Sequence, residues 1–390
     1  LFNFTQLEWL ESIRESSPSA HWIIRSVLIF SCLAACWIGT QPFYFLSQIV
    51  MIKWNSLGGG ESMDLIKLGR SGLSVSPLVL GTVNFSWLTN EKDSFAILDR
   101  ALELGINFFD TSDNYNAGQT EALLGRWFAQ GGGRREQVVL ATKVYSPPME
   151  WGSKDEAKRT GSWVGPNDRG LSAKHMRYAI EASLKRLQTD YVDIYQCHHV
   201  DRSVSWEALW QSFDLLRQQG KILHAGSSNY AAWHLAQSQS VANYAGSIGF
   251  VSEQSVYSLM NRHIELEVAP ACQAMDIGLL TYSPLAGGLL GGKIEKGETG
   301  RRSFSPKNES ETLSSYESLC HKTGISPADL ALAWVANQPL VTAPIVGPRT
   351  MAQLESSVKA IEIKLEKDVL DELDELFPGP GGPAPEAYSW

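Results

Sequence analysis

No strand-like run in this 390-residue chain is followed by Gly-x-Gly-x-x-Gly, so a Rossmann dinucleotide site is unsupported. Basic charge is in deficit: 33 Lys and Arg face 42 Asp and Glu, for a formal net charge of −9. A nucleic-acid surface needs clustered cations, so a small-molecule ligand suits this balance better. Cysteine is scarce. Cys32, Cys36, Cys197, Cys272 and Cys320 are scattered, with neither the close pairs of a zinc site nor an even disulfide framework. A reducing, cytoplasmic setting is expected for the main body, and no metal site. One glycine-rich stretch, Gly287 to Lys293, fits Gly-x4-Gly-Lys, but Ile294 stands where a phosphate loop needs the Ser or Thr that holds magnesium. Kinase or ATPase chemistry is set aside.

Charge is also missing between Arg25 and Lys53, and Ser26 to Leu46 is rich in Leu, Ile, Phe, Ala and Trp. That length and polarity suit a membrane-spanning helix, with Trp22, Trp37, Phe43, Tyr44 and Trp54 as interfacial anchors. The stretch makes a poor secretory signal, because Glu8, Glu11 and Glu15 occupy the place of positive charge. A second reading makes residues 1–62 an upstream extension foreign to the mature protein. The chain opens on Leu1, and Gly58-Gly59-Gly60-Glu61 demands purine-rich codons just before Met63, as a translated ribosome-binding sequence would. Both readings stand at this point. Membrane anchoring would rest on residues 22–50 alone.

From Met63 onward, short apolar runs alternate with longer amphipathic stretches, the pattern of repeated βα units and a parallel sheet. Strands are expected at 78–81, 106–109, 138–143, 191–197, 222–226, 249–253, 278–282 and 342–346. Helices are expected at 93–104, 119–129, 172–187, 204–218, 230–241, 264–275, 310–323, 327–337, 350–359 and 367–376. Asp93-Ser94 reads as the first helix's N-cap and Gly105 as its C-cap. Eight strands closing into a (β/α)8 TIM barrel over 63–378 is the α/β fold expected. The loop 145–170 is rich in Pro, Gly, Ser and charge and would wall a pocket. The tail 379–390, with its Pro and Gly, is expected to hang free.

Four polar side chains arrive at the ends of these runs: Asp110 and Tyr115 after the second, Lys143 closing the third, and His198 closing the fourth. Parallel strands in one barrel would bring them together. Singly, Asp110 reads as a loop cap and Tyr115 as a rim packing residue, but a Lys ending a buried strand is costly unless paired. As a set they suit carbonyl reduction, which leaves negative charge on oxygen that a proton must meet. A phenol is a reluctant acid at neutral pH, and a neighbouring ammonium favours the phenolate and improves it as a donor. Lys143 is the candidate ammonium and Asp110 its counter-ion. His199 rivals His198, and strand alternation would point the two to opposite faces.

The set, in that order, resembles the aldo/keto reductase family. The matching segments are Phe109 to Tyr115, Ala141 to Val144, Tyr195 to His198, Gly226 to Asn229, Gln254, Tyr282 to Leu285 and Gly347 to Thr350, so the likeness runs from about residue 64 to about residue 376. The resemblance implies that Tyr115 is the general acid, assisted by Asp110, Lys143 and His198, and that the hydride comes from NADPH. It also implies a short N-terminal hairpin, from Met63, plugging the barrel bottom. Cofactor contacts are implied at Gly81, Thr82, Ser228, Asn229, Gln254, Tyr282, Ser283, Pro284, Leu285 and Gly287. Further along they fall at Gly347, Arg349, Thr350 and Gln353, where a helix N-terminus favours phosphate and Arg349 suits a 2′-phosphate. Ser356 and Ser357 depart from the family pattern at the adenine and would weaken that grip. A small-molecule carbonyl is the expected partner. Potassium-channel β-subunits share this fold and tetrad, so a cofactor-binding regulatory subunit of a membrane protein is the alternative.

Overall fold

In the computed structural model the described residues are 63–147, 165–292 and 310–387. Residues 1–62, with the apolar stretch 22–50, lie outside them, as do residues 148–164 of the loop expected to wall a pocket and residues 293–309. Among the described residues no helix is long and apolar enough to cross a membrane.

The described residues open with a two-stranded antiparallel hairpin, β1 (Ile66–Lys67) and β2 (Ser74–Val75). Eight parallel strands then close into a barrel. They are β3 (Val79–Gly81), β4 (Phe108–Asp110), β5 (Val139–Val144), β6 (Val192–Cys197), β7 (Ile222–Ser228), β8 (Phe250–Val256), β9 (Gly278–Tyr282) and β10 (Ala343–Val346). Each pairs with its successor, and β10 returns to β3. The helices are α1 (Glu91–Glu103), α2 (Gln119–Phe128), α3 (Arg134–Gln137), α4 (Ala173–Leu187), α5 (Trp206–Gln218) and α6 (Ala232–Tyr244). They continue with α7 (Val268–Ala274), α8 (Ser310–Thr323), α9 (Pro327–Ala336), α10 (Met351–Ala360) and α11 (Lys367–Leu376).

Strand alternation divides the apolar residues between two cores. Val79, Phe108, Ala141, Ile194 and Leu280 fill the barrel's lower interior, where Leu68 and Val75 of the hairpin seal it from below. A side chain on Gly278 would meet Leu68 at 2.5 Å, so the plug and β9 touch through a missing Cβ. Leu80, Phe109, Leu140 and Tyr195 point the other way and pack under the helices with Trp127, Trp210 and Trp334. Each such side chain, fully buried, contributes about 1.5–3 kcal/mol.

Three local expectations change. Helix α1 starts two residues early, because the Asn90 side chain accepts the Asp93 N–H at 2.9 Å and so caps it ahead of Asp93-Ser94. The helix expected at 264–275 breaks into a short 3-10 turn, His263–Glu265, and α7. Pro270 has no N–H and its ring conflicts with the carbonyl four residues back, so only the first turn of a helix accommodates it. The tail does not hang free: the Ala384 N–H donates to Leu266 O at 2.8 Å. Arg262 gathers the approach to it, donating to Glu265, Asp374 and Phe377 O. Any Cβ on Gly379 would strike that guanidinium at 2.7 Å.

Candidate active site

The strand register places Gly81 beside Asp110, Asp110 beside Ala141, Lys143 beside Gln196, and Ser228 beside Gln254. Asp110, Lys143, Gln196 and Gln254 each follow an inward-facing residue by two, so all four project into the barrel above the apolar layer. Six of the eight non-glycine residues with left-handed backbone among those described sit at this same end: Ser86, Asn116, Ala117, Asn229, Ser283 and Ala286. Such strain is held only where surrounding structure enforces it. Asn116 is held by its own amide, which donates to Ser86 O at 2.7 Å and thereby fixes the turn carrying Tyr115.

Lys143 is fully buried, and Asp110 is 2% exposed. The three ammonium protons are all assigned: Nζ donates to Asp110 Oδ2 at 2.7 Å, Thr111 O at 2.9 Å and Tyr115 Oη at 2.9 Å. Burial pulls Lys143 downward, but the Asp110 carboxylate and the Tyr115 oxygen outweigh it and hold the ammonium above the ordinary lysine value. The other Asp110 oxygen accepts two amides, Gln196 Nε2 at 3.1 Å and Gln254 Nε2 at 2.8 Å. Sequence reasoning missed these two amides as supports of Asp110. The signal was the inward parity of Gln196 with Lys143 and of Gln254 with Tyr282.

His198 follows Cys197, the last residue of β6, and its ring stands edge-on to that of Tyr115, centroids 6.2 Å apart. Burial, the Lys143 charge and His199 push its pKa well below the usual imidazole value, so it is neutral at pH 7. Nδ1 lies 3.2 Å from Ser112 Oγ. His199 is not on the opposite face: the two rings stack, 6° from parallel, and His199 also meets Tyr145 edge-on. Both residues lie beyond the end of β6, where strand alternation no longer governs direction.

The residues expected at a cofactor divide into those that are exposed or only half-buried and those packed away. Tyr282, half-buried at the end of β9, donates to Asn229 Oδ1 at 2.9 Å. Asn229 Nδ2 donates to Ser228 Oγ at 3.0 Å and His198 O at 3.2 Å. Gly347 is exposed, and its carbonyl accepts Asn84 Nδ2 at 2.6 Å. Thr350 caps α10 through the Gln353 N–H, and Gln353 Oε1 accepts the Arg349 N–H at 2.8 Å. The Arg349 side chain is exposed. Gly287 has left-handed backbone with open space where a Cβ would stand. Ser283 is also left-handed, and beside it Pro284 is buried and Leu285 packs on the outer core. Gly81 and Thr82 are fully buried: a Cβ on Gly81 would meet Ile345 at 2.7 Å, and the Thr82 hydroxyl donates to Asp110 O. Of the two serines that depart from the family pattern, Ser356 Oγ donates to Asp329 at 2.6 Å and Ser357 Oγ to Gln353 O. Both hydroxyl protons are thus directed inside the protein.

A barrel whose strand ends bring Asp, Tyr, Lys and His together defines an oxidoreductase of the aldo/keto reductase class. The profile of the Aldo/keto reductase family matches residues 77–377, and the chain belongs to that family of nicotinamide-dependent oxidoreductases. It is 48% identical over 337 residues to the uncharacterized oxidoreductase YrpG of Bacillus subtilis, covering 84% of this chain and all of that protein. It is 32% identical to a probable voltage-gated potassium channel subunit beta of Oryza sativa, over 80% of this chain and 96% of the other. Versiconal hemiacetal acetate reductase of Aspergillus parasiticus is 30% identical, over 81% and 97% respectively.

Proposed function

We propose that this protein reduces an aldehyde or ketone to the alcohol, using NADPH, with Tyr115 as the general acid. The assignment of the Lys143 protons carries the reading: Tyr115 Oη accepts from Lys143, so its own O–H is directed elsewhere. NADPH, when bound, supplies the hydride. As charge develops on the carbonyl oxygen, Tyr115 delivers its proton there, and Lys143 at 2.9 Å stabilises the phenolate left behind. Asp110 keeps Lys143 charged although the ammonium is fully buried. A neutral His198 whose Nδ1 accepts from Ser112 Oγ carries its one ring proton on Nε2, with which it orients the substrate oxygen, and it does not compete with Tyr115 as an acid.

The residues fit the cofactor. Half-buried Asn229 offers polar atoms to a carboxamide, with Ser228 and Gln254 buried and hydrogen-bonded behind it, Tyr282 offers a ring to stack on, and Gly287 and Gly347 permit close backbone approach. The N-terminus of α10 and the exposed Arg349 suit a 2′-phosphate, which favours NADPH over NADH. The test is NADPH oxidation against a panel of small aldehydes and ketones, with Tyr115→Phe beside the parent. Turnover in the parent should fall about 10²–10⁴-fold in the variant while NADPH affinity holds. Tight NADPH binding without turnover on any carbonyl would favour the second reading, a cofactor-binding regulatory subunit. The name of the rice relative supports that reading.

A further inference from the structure

Glu253 is the residue on β8 that the chemistry above does not use. Its neighbour Gln254 turns inward to Asp110; Glu253 turns outward and is fully buried between the barrel and its helices. Its carboxylate accepts from several donors, among them Ser227 Oγ at 2.5 Å, Ser255 Oγ at 2.8 Å and the Tyr230 N–H at 3.2 Å. Two of these three come from the end of β7 and the turn that follows it into α6, residues 227–230, a stretch that carries Ser228 and the left-handed Asn229. Asn229 in turn holds the Tyr282 hydroxyl and His198 O.

We propose that Glu253 is a positioning residue that clamps the β7–α6 turn from behind, in the shape that presents Ser228, Asn229 and Tyr282 to the nicotinamide end of the cofactor. The cofactor half of this rests on the function proposed above; the clamping of the turn does not. A carboxylate offers only acceptors and so matches three converging donors, whereas an amide sets an NH2 against one of them. Burial pushes the Glu253 carboxyl up to about 7, with the Ser227 and Ser255 hydroxyls and the Tyr230 N–H holding it back. The titratable groups around it are Cys197 on β6, Tyr230 in the turn, Cys272 on α7 and Tyr282 on β9. All four are acids whose own values are raised, Cys197 to about 12, so Glu253 alone changes charge between pH 6 and 8.

The experiment compares the full chain with Glu253→Gln and Glu253→Ala by NADPH titration from pH 6 to 8.5, and by amide exchange of the apo proteins over residues 227–230. At pH 8.5 Glu253→Gln should bind NADPH about tenfold more weakly than the parent. The ratio should shrink toward one at pH 6, where the parent's carboxyl is itself protonated. A merely structural role would give a ratio independent of pH. In the apo proteins at pH 8.5, exchange at 227–230 should rise in both variants. A flat affinity ratio, or parent-like exchange in Glu253→Ala, overturns the clamp. A parent that binds no NADPH at any pH overturns the cofactor reading instead, and the exchange measurement still decides whether Glu253 holds the turn.

Discussion

Lys143 has no access to water, so its charge is held by three oxygen atoms. Removing one partner of a buried pair strands the other. Lys143→Met, close in size, would leave Asp110 facing only two amides, and the loss should be about 3–5 kcal/mol in urea unfolding, together with loss of reduction. A loss below 1 kcal/mol would mean that water reaches Asp110 and that the pair is not sealed. The four polar residues were legible because Asp110, Lys143 and His198 stand at the ends of apolar runs and Tyr115 follows Asp110 by five, and a buried strand seldom ends in an unpartnered charge. Their supports were not. Gln196 and Gln254 reach the same Asp110 oxygen across 86 and 144 residues of sequence, and only the strand register brings them there. His199 shows the complementary failure, a rule of alternation applied two residues past the end of the strand that justified it.

At the scale of elements, α2 and α4 approach as closely as one missing side chain allows. A Cβ on Gly125 would stand 2.1 Å from Arg186 O, a backbone atom that cannot step aside. Arg186 also reaches back from α4 to Glu121, donating through Nε at 2.8 Å, and Glu121 accepts the Thr142 hydroxyl at 2.6 Å. One buried carboxylate thus ties two helices to β5, the strand that carries Lys143. Gly125→Ala must push the helices apart, so it should cost at least about 3 kcal/mol and lower the midpoint of thermal unfolding; a change under 1 kcal/mol would show that the two helices slide without resistance. All eight barrel strands were legible from sequence, because parallel strands covered on both faces read as continuous apolar runs. Helix starts were less so, since Asn90 and Pro270 act through single hydrogen bonds or their loss, which leave no period in the sequence. The tail was misread for a third reason: what holds it is a carbonyl on a distant loop, a feature every residue shares.

For the molecule as a whole, two sets of titratable groups set opposite slopes of stability against pH. His198, His199, His224 and His234 are all lowered, with burial the largest cause in each. The unfolded chain binds these protons more readily, so their contribution is complete above about pH 6.5 and is lost as pH falls. Asp113 and Glu253 are raised, again chiefly by burial, Asp113 also by the charge of Glu121. Their contribution is complete below the ordinary carboxyl range and is lost as pH rises, for Glu253 through about 7. The sets oppose one another between about pH 4.5 and 6.5, and above that only the carboxyl slope remains, so stability should fall as pH rises beyond about 6.5. For Glu253 the rise from 4.5 to about 7 corresponds to about 3 kcal/mol. Glu253→Gln removes that loss and leaves the histidine slope alone. In urea unfolding at pH 5, 6, 7 and 8, the difference between variant and parent should therefore move steadily in the variant's favour as pH rises. A difference constant across that range would mean that Glu253 keeps an ordinary pKa in the folded protein, reached by water that the packing around β8 leaves no room for.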